Sequence, residues 1–404
     1  MHRVAFLSLH TSPLAQPGSG DSGGMNVYVR ELVSALAQRG LDCTTYTRLV
    51  HPDQQRVVQV EPGHRVVHVP AGPFDLPKEA LPSVIDEFTR GVAAYLDGEF
   101  PADVLHANYW LSGVVAHRLK HERDMPFVAT FHTLARVKSE GGDHEPPARE
   151  LAELEIIGCA DAICVNCSEE ELQFRRLYGD PPGVVEVVAP AVEHALFAPG
   201  AQVGARTALG LPIDADVLLF VGRVQPLKGP EVAIRALAAL DRPDALLLIV
   251  GGASGAEGER EMRVLRSVAA ALGVTDQVRF VAPQPHHILS TYYRAADVAI
   301  VPSRSESFGL VALEASACGV PVVASAVGGL LTLVDHGHNG YLVPDRDPLV
   351  FAAHIANLLD DPTLARRLGA YGAQRAMAYT WRAAARRLDD LYSRLPVRDL
   401  VACR

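Results

Sequence analysis

Short apolar runs alternate with amphipathic stretches along the first half of the chain. The run RVAFLSL precedes a helical pattern from about Asn26 to Arg39, and further strand patterns follow, several separated by helical ones: DCTTYTRL, RVVHVPA, DVLHAN, PFVATFH and AICVN. Alternation of this kind is typical of a parallel sheet with helices on both faces. We therefore predict a doubly wound α/β domain over residues 1–195.

The same pattern begins again after the Pro- and Gly-containing segment VEVVAPAVEHALFAPG. Its strand candidates are DVLLFVGRV, ALLLIVGG, VRFVAP, VAIVPS, PVVASAVGG and GYLVP, with helices predicted from Pro230 to Leu240 and from Glu259 to Leu272. We predict a second doubly wound domain over residues 196–378, with a ligand site in a central cleft that the two domains face. Residues 379–404 carry a last helical pattern, which we expect to cross back to the first domain.

Composition limits the classes of function. The 404 residues are 49% apolar and 21% charged, and 37 basic against 47 acidic side chains give a net charge of −10. This balance argues against a nucleic-acid or membrane surface, while it permits a local basic cluster for a small anion. The sequence has no apolar run of about 18 residues and no signal-peptide pattern, so we expect a cytoplasmic protein.

Six cysteines are few for this length, and we predict that all of them are reduced thiols. Cys164 and Cys167 form a C-x-x-C pattern where a strand runs into a helix start. No second pair of ligands lies nearby in the sequence, so core packing is favoured over redox or metal chemistry.

The glycine-rich stretch PGSGDSGGMN, residues 17–26, follows the first strand pattern and precedes the first helix. Gly23 and Gly24 would let a ligand approach the backbone, and N–H groups at a helix start favour an anion. We predict a phosphate site here. A flexible loop that uses glycine only for turns is the alternative, because the stretch is neither G-x-G-x-x-G nor a Walker loop.

Two cations of the second domain stand between a strand and a helix. In FVGRVQPLKGP, Arg223 and Lys228 follow the strand that begins DVLLFV and precede a helix, and paired cations at this position suit a diphosphate. Two solvated surface cations are the alternative.

The segment PSRSESFGLVALEA adds two carboxylates, Glu306 and Glu314, on either side of a predicted helix start. Glu306 could meet a sugar hydroxyl and Glu314 the hydroxyls of a ribose. Backbone N–H groups between them could bind phosphate oxygens. The residues that would supply these groups are Ser307, Phe308, Gly309 and Leu310.

Together, the glycine pair, the R-x4-K of GRVQPLK and the E-x7-E of SESFGLVALE resemble the retaining family 4 glycosyltransferases of GT-B architecture. The resemblance extends over nearly the whole chain, to the VGG at Val327 to Gly329 and to GHNGYLV. It implies two Rossmann-like domains, a nucleotide-sugar as co-substrate, and neither another cofactor nor a metal. The D-R-D at Asp345 to Asp347 is accordingly interpreted as a polar turn.

The resemblance also implies a front-face reaction in which the leaving diphosphate takes the acceptor proton. Arg223, Lys228 and the helix start at Ser307 would stabilise the charge on that diphosphate. Glu306 and His132 would meet the donor sugar, and a satisfied histidine at a strand end is the alternative for His132.

Within the family, the likeness is greatest to members that transfer N-acetylglucosamine from UDP-N-acetylglucosamine to 1D-myo-inositol 3-phosphate in mycothiol biosynthesis. The resemblance then implies that Lys78, Tyr109, Thr133 and Arg149 hold the acceptor phosphate, and that Asn26 contacts the acceptor ring. Two cations and two hydroxyls are chemically suited to a phosphate monoester.

Two segments depart from the family pattern. Pro190 to Glu193 read PAVE where PGVD is usual, and Gln284 stands where an arginine is common beside the nucleobase. Two alternatives therefore stay open: a diverged family member with another donor, such as a GDP-sugar, and a small thiol or alcohol acceptor, or a non-catalytic sugar-nucleotide-binding protein. A homodimer is compatible with the sequence.

Overall fold

The computed structural model describes residues 2–18, 22–143, 145–253, 258–395 and 399–403. The chain divides into two compact units. The first unit combines Met1–Ala15, Met25–Ala189 and Trp381–Arg404, and the second combines Gln16–Gly24 and Pro190–Thr380. Gly23 and Gly24 of the glycine-rich stretch thus belong to the second unit, although Met25 and Asn26 belong to the first.

The strands of the two units, in chain order, are β1 Arg3–Leu7, β2 Asp42–Arg48, β3 Val57–Glu61, β4 His64–Val69, β5 Val104–Asn108, β6 Phe127–Thr130, β7 Ala162–Val165, β8 Val184–Val187, β9 Asp216–Val221, β10 Ala245–Val250, β11 Val278–Val281, β12 Val298–Val301, β13 Val322–Ser325 and β14 Gly340–Val343.

The helices are α1 Gly24–Gln38, α2 Ile85–Asp97, α3 Trp110–Arg123, α4 Ala135–Glu140, α5 Pro147–Cys159, α6 Ser168–Tyr178, α7 Gln202–Ala208, α8 Pro230–Leu240, α9 Gly258–Ala271, α10 His286–Ala295, α11 Leu310–Ala317, α12 Leu330–Leu333, α13 Pro348–Asp360, α14 Pro362–Ala376 and α15 Trp381–Arg394. Short 3-10 turns cover Lys78–Val84, Pro226–Lys228 and Thr275–Gln277. None of the described helices is long and apolar enough to cross a membrane.

The first unit is built on an eight-stranded sheet in the order β3-β4-β2-β1-β5-β6-β7-β8. All its pairs are parallel except β3 with β4, which is antiparallel. Apolar residues of the strands pack against the helices, with Phe88, Phe127 and Phe174 fully buried. The strand order reverses between β1 and β5, so the loops after β1, β5 and β6 leave the sheet beside this switch point, where ligands collect in such sheets.

The second unit has a six-stranded parallel sheet in the order β11-β10-β9-β12-β13-β14. Numbered within the unit, this is the order 3-2-1-4-5-6 of a dinucleotide-binding fold. The switch point lies between β9 and β12, which pair through Leu218 and Val298. Helix α8 begins and ends at the predicted residues, and α9 begins and ends one residue before them.

The prediction that all six cysteines are reduced is wrong for one pair. Cys159 and Cys403 form a disulfide with their Cα atoms 4.7 Å apart. They are 244 positions apart in the sequence, so no spacing pattern could have indicated the contact. Cys164 and Cys167 are buried and are not joined in a disulfide, which agrees with core packing for the C-x-x-C pattern.

Candidate active site

The two predicted donor motifs leave the second sheet at neighbouring strands. Arg223 and Lys228 follow β9, and the segment from Pro302 to Gly309 follows β12. Because β9 and β12 are paired in parallel, their carboxyl ends lie side by side. Nζ of Lys228 is 2.7 Å from Oε2 of Glu306, so the structure brings the R-x4-K and E-x7-E motifs into direct contact.

The Lys228–Glu306 pair is partly open to solvent, with 26% and 17% of the two side chains exposed. The Ser303 hydroxyl also donates to Glu306 Oε2, at 3.2 Å. Glu306 therefore fixes the ammonium of Lys228 and compensates its charge. The ammonium stays accessible to an anionic ligand.

Glu314 is buried, and both oxygens of its carboxylate already have partners. Nε2 of His286 lies 2.8 Å from Oε1, and the Tyr293 hydroxyl donates to Oε2 at 2.8 Å. Each carboxylate oxygen can accept a second hydrogen bond, so the ribose contact stays a prediction. Sequence reasoning missed His286 and Tyr293. Their only sequence signal is a spacing of seven, which places both on one face of α10.

The helix start after Glu306 offers backbone groups rather than side chains. Phe308 is buried, with its ring 5.8 Å from that of Tyr379, so only its main chain can contribute to a phosphate site. Gly309 caps α11 with φ +105°, a conformation that favours glycine. Leu310 is the first residue of the helix, and Ser307 precedes the buried Phe308.

The predicted glycine pair lies against these elements. A Cβ built on Gly24 would lie 3.2 Å from Cδ1 of Leu310, and one on Gly23 would lie 3.6 Å from Nε of Arg223. The loop thus approaches both the first cation of the R-x4-K motif and the start of α11. The remaining loop residues 19–21 lie outside the described residues.

The VGG segment, Val327 to Gly329, packs against the backbone of Glu306. The Gly329 N–H donates to the Glu306 carbonyl at 2.9 Å, and Gly328 has φ +48°. A Cβ on Gly328 would overlap that same carbonyl oxygen. The two glycines therefore let the chain pack directly against the backbone that carries Glu306.

Replacing Gly328 with alanine is expected to lower kcat/KM by at least about tenfold, because the Glu306 backbone must move and small displacements at a reacting centre are costly. Gly337→Ala is the matched control. It also has a positive φ, +80°, but its Cβ would meet nothing within 4 Å. Steady-state kinetics of both variants test this, and equal losses in the two would mean that backbone strain alone is responsible.

Arg346 was missed as a candidate for this site. It lies at the centre of the D-R-D stretch, its Nε donates to the Pro302 carbonyl at 2.9 Å, and burial together with the charge of Arg304 lowers its pKa. Asp347 accepts from the N–H of Leu349 at 2.9 Å and so caps α13, in agreement with a polar turn. The Gln284 amide folds back onto the Ala282 carbonyl at 2.9 Å, and its role beside a base stays a prediction.

In the first unit, the four predicted acceptor residues come together around the ring of Tyr109. Nζ of Lys78 is 5.6 Å and Cζ of Arg149 5.0 Å from the ring centroid, and Nη2 of Arg149 is 3.1 Å from the Thr133 hydroxyl. Tyr109 follows β5 and Thr133 follows β6, which are paired strands. Residues far apart in sequence thus form one cluster at the carboxyl edge of the sheet.

Arg149 is only 2% exposed, and all five of its N–H donors can be assigned. Nε reaches Glu153 at 2.8 Å, while Nη1 reaches Glu145 at 3.0 Å and the Tyr109 hydroxyl at 3.3 Å. Nη2 donates to the carbonyl and the hydroxyl of Thr133 at 2.8 and 3.1 Å. Arg149 therefore positions Tyr109 and Thr133.

Glu145 is a further residue that the sequence did not indicate. Its carboxylate contacts both Arg149 and Lys138. Burial opposes its ionisation, but the hydrogen bond from Lys138 and the charge of Arg149 hold its pKa below the ordinary value. A carboxylate thus lies between Arg149 of the cluster and the neighbouring Lys138.

Two of the predicted site residues in the first unit have positive φ angles. Tyr109 has φ +75° and His132 has φ +61°, conformations that are costly for residues with a Cβ and that concentrate at functional sites. Nε2 of His132 lies 2.9 Å from Oδ1 of Asn108, and burial lowers the pKa of His132 to about 3. Burial thus favours the neutral imidazole of His132, which can donate one hydrogen bond and accept another.

Asn26 is buried at the start of α1, and its amide nitrogen donates to the Thr11 hydroxyl at 2.8 Å and to the Ser12 carbonyl at 2.6 Å. It holds the loop that follows β1. Its contact with an acceptor ring stays a prediction.

Comparison with known proteins identifies the family. Residues 23–191 match the model described as "Glycosyl transferase 4-like domain", and residues 204–375 match "Glycosyl transferases group 1". The chain is 44% identical over 408 residues to the D-inositol 3-phosphate glycosyltransferase of Thermobispora bispora, with 97% of this chain and 95% of that one covered. It is 45% identical over 417 residues to D-inositol 3-phosphate glycosyltransferase 2 of Catenulispora acidiphila, with 100% and 97% covered.

A solved structure extends the comparison to the fold. The sucrose-phosphate synthase of Thermosynechococcus elongatus superimposes with a TM-score of 0.93 at 35% identity, and the match covers 98% of this chain and all of that one. These matches confirm the predicted GT-B fold and argue against a non-catalytic sugar-nucleotide-binding protein. The chain therefore belongs to family 4 of the glycosyltransferases and is a hexose-transferring enzyme.

Proposed function

We propose that the enzyme transfers N-acetylglucosamine from UDP-N-acetylglucosamine to 1D-myo-inositol 3-phosphate, with retention of anomeric configuration and in the cytoplasm. The observation that carries this proposal is the cluster of Lys78, Tyr109, Thr133 and Arg149. Cations and hydroxyls at this spacing suit a phosphate monoester on the acceptor. The D-inositol 3-phosphate named in the two curated relatives is an acceptor of that class.

The acceptor phosphate takes the place of the Glu145 carboxylate. Every N–H of Arg149 already has an acceptor, and one of those acceptors is Glu145, at 3.0 Å. A phosphate that displaces Glu145 gains that N–H together with the ammonium of Lys138, without disturbing the bonds of Arg149 to Thr133. Exchange of one anion for another keeps the buried guanidinium paired throughout.

The donor diphosphate binds at the switch point of the second sheet. Arg223, Lys228 and the backbone at Ser307 to Leu310 receive its oxygens, Gly23 and Gly24 cover it, and Glu314 accepts from the ribose. Glu306 and His132 hold hydroxyls of the donor sugar. As the sugar–phosphate bond breaks, charge grows on the diphosphate, and the cations and N–H groups stabilise it most at that point. The diphosphate oxygen takes the proton of the attacking hydroxyl.

A donor-by-acceptor matrix tests the proposal. UDP-N-acetylglucosamine, UDP-glucose and GDP-sugars are each incubated with 1D-myo-inositol 3-phosphate, free inositol, a hexose phosphate and small thiols, and products are identified by mass spectrometry. We expect the first donor with inositol 3-phosphate to give the highest kcat/KM. Preference for a GDP-sugar, which Gln284 leaves open, or for an acceptor without phosphate would overturn the proposal.

Lys78→Gln tests the assignment of the acceptor site, because Lys78 is the half-exposed cation of the cluster. We expect its kcat/KM to fall by about tenfold with the phosphorylated acceptor, the value of one charge-assisted hydrogen bond. Slow donor hydrolysis in water should be unchanged. Equal losses in both reactions would remove the acceptor assignment.

A further inference from the structure

Two histidines and two cysteines of the first unit meet away from the predicted substrate sites. The side chains are His117, His121, Cys159 and Cys403, and one nitrogen or sulfur atom from each lies within 4.8 Å of all the others. Nε2 of His117 and Nε2 of His121 are 3.0 Å apart, and Sγ of Cys159 is 3.7 Å from Nε2 of His121. The two sulfurs are in contact.

Local structure explains how the four side chains converge. His117 and His121 are four residues apart on α3, so they share one face of the helix. Cys159 is the last residue of α5, which packs against α3. Cys403 lies in the C-terminal segment 399–403.

A buried ion pair holds that C-terminal segment beside the two helices. Lys120, adjacent to His121, has its Nζ 2.8 Å from Oδ1 of Asp161 and donates to the Cys159 carbonyl at 2.8 Å. Asp161 in turn accepts from the N–H of Val401 at 2.7 Å. Residues within two positions of three of the four cluster members are thus tied into one hydrogen-bonded group.

The ligand set and its dimensions suit a tetrahedral metal. Zn–N bonds of about 2.1 Å and Zn–S bonds of about 2.3 Å separate tetrahedral ligand atoms by about 3.4–3.8 Å, close to the Cys159–His121 distance. Two imidazoles and two thiolates are a common closed ligand set for Zn²⁺, and softer ligands disfavour Mg²⁺ or Ca²⁺.

We propose that the dithiol form of the chain binds one Zn²⁺ ion through His117, His121, Cys159 and Cys403. Binding deprotonates both thiols and releases their two protons, and no oxidation or reduction takes place. The disulfide is the form in which the sulfurs are bonded to each other and not available to the metal. The ion joins α3, α5 and the C-terminal segment, a structural role separate from sugar transfer.

Metal content of the full-length enzyme, purified in a non-chelating buffer with a phosphine reductant, tests the proposal. We expect about one zinc per chain by elemental analysis, falling at least about tenfold in Cys403→Ser and in His121→Ala. Cys43→Ala and His51→Ala are matched controls, because they remove the same residue types outside the cluster. Both controls should keep the zinc of the parent enzyme.

Cobalt gives a second measurement that does not depend on the variants. The metal-free, reduced enzyme titrated with Co²⁺ should develop the intense thiolate-to-cobalt charge-transfer band and the visible bands of a tetrahedral site at one equivalent. Zinc below one-tenth of an equivalent in the reduced enzyme, together with no charge-transfer band, would overturn the proposal. So would zinc content equal in Cys403→Ser and in the parent enzyme.

Discussion

Turnover of Lys228→Met is expected to fall by about 10²–10³-fold, while the KM for the nucleotide-sugar changes much less. One group placed to stabilise developing charge is worth this much in the transition state. In the structure, the ammonium of Lys228 is held 2.7 Å from Glu306 and follows β9 at the switch point of the sheet. Steady-state kinetics with both substrates varied, together with equilibrium binding of the donor, separate the two effects.

The contact between Lys228 and Glu306 explains why we expect Lys228→Met to lower turnover more than it raises the KM for the nucleotide-sugar. Lys228 is paired with Glu306, so a diphosphate bound in the ground state would share Lys228 with a carboxylate. Charge that accumulates on the leaving group strengthens its attraction to Lys228, and this gain appears only as the bond breaks. Arg235→Met is a suitable control, because Arg235 lies on α8 in an exposed pair with Glu231. Unchanged turnover in Lys228→Met would refute its leaving-group role.

The second sheet was predictable from sequence because each of its strands is a short, β-branched apolar run followed by a helix. All six runs, from DVLLFVGRV to GYLVP, are strands in the structure. The first sheet was less predictable at its edges. β3 is half-exposed and pairs antiparallel to β4, so its residues VVQVE neither form a continuous apolar run nor precede a helix. β8 overlaps the start of the segment VEVVAPAVEHALFAPG, which was interpreted as a connection.

Residues of the candidate site were predictable where they lie in loops that connect a strand to the following helix. Lys228 and Glu306 meet because their loops follow paired strands, which the α/β pattern anticipates. The partners of Glu314 and Arg149 were not predictable in the same way. Tyr293 and Glu153 are helix residues whose roles depend on how neighbouring elements pack, and no local motif specifies that packing.

Glu145 and the Cys159–Cys403 contact illustrate the same limit. Glu145 reaches Arg149 at a spacing of four, but it lies before the start of α5, where a helical pattern does not apply. Cys403 reaches Cys159 through the fold of the C-terminal segment, across 244 positions of sequence. Long-range proximity of this kind comes from tertiary structure alone.

Replacing Arg149 with alanine is expected to destabilise the first unit by about 3–5 kcal/mol and to abolish measurable transfer to a phosphorylated acceptor. Removal of the guanidinium leaves the buried carboxylate of Glu153 without its cation, and an unpaired buried charge costs this much. Glu145 also loses Arg149 but keeps Lys138. Tyr109 and Thr133 also lose their common donor. Both tryptophans, Trp110 and Trp381, lie in the first unit, so the fluorescence change during urea denaturation reports on that unit.

Glu145→Gln separates the stability effect from the acceptor effect. It keeps the volume of Glu145 but removes the anion that competes for Arg149 and Lys138, so we expect the KM for inositol 3-phosphate to fall about two- to tenfold, a gain of one weak ion pair. Stability should change little, because Arg149 keeps Glu153 as its buried partner. If the KM for the phosphorylated acceptor rises instead, Glu145 supports the acceptor rather than competing with it, and the anion-exchange model of this cluster is wrong.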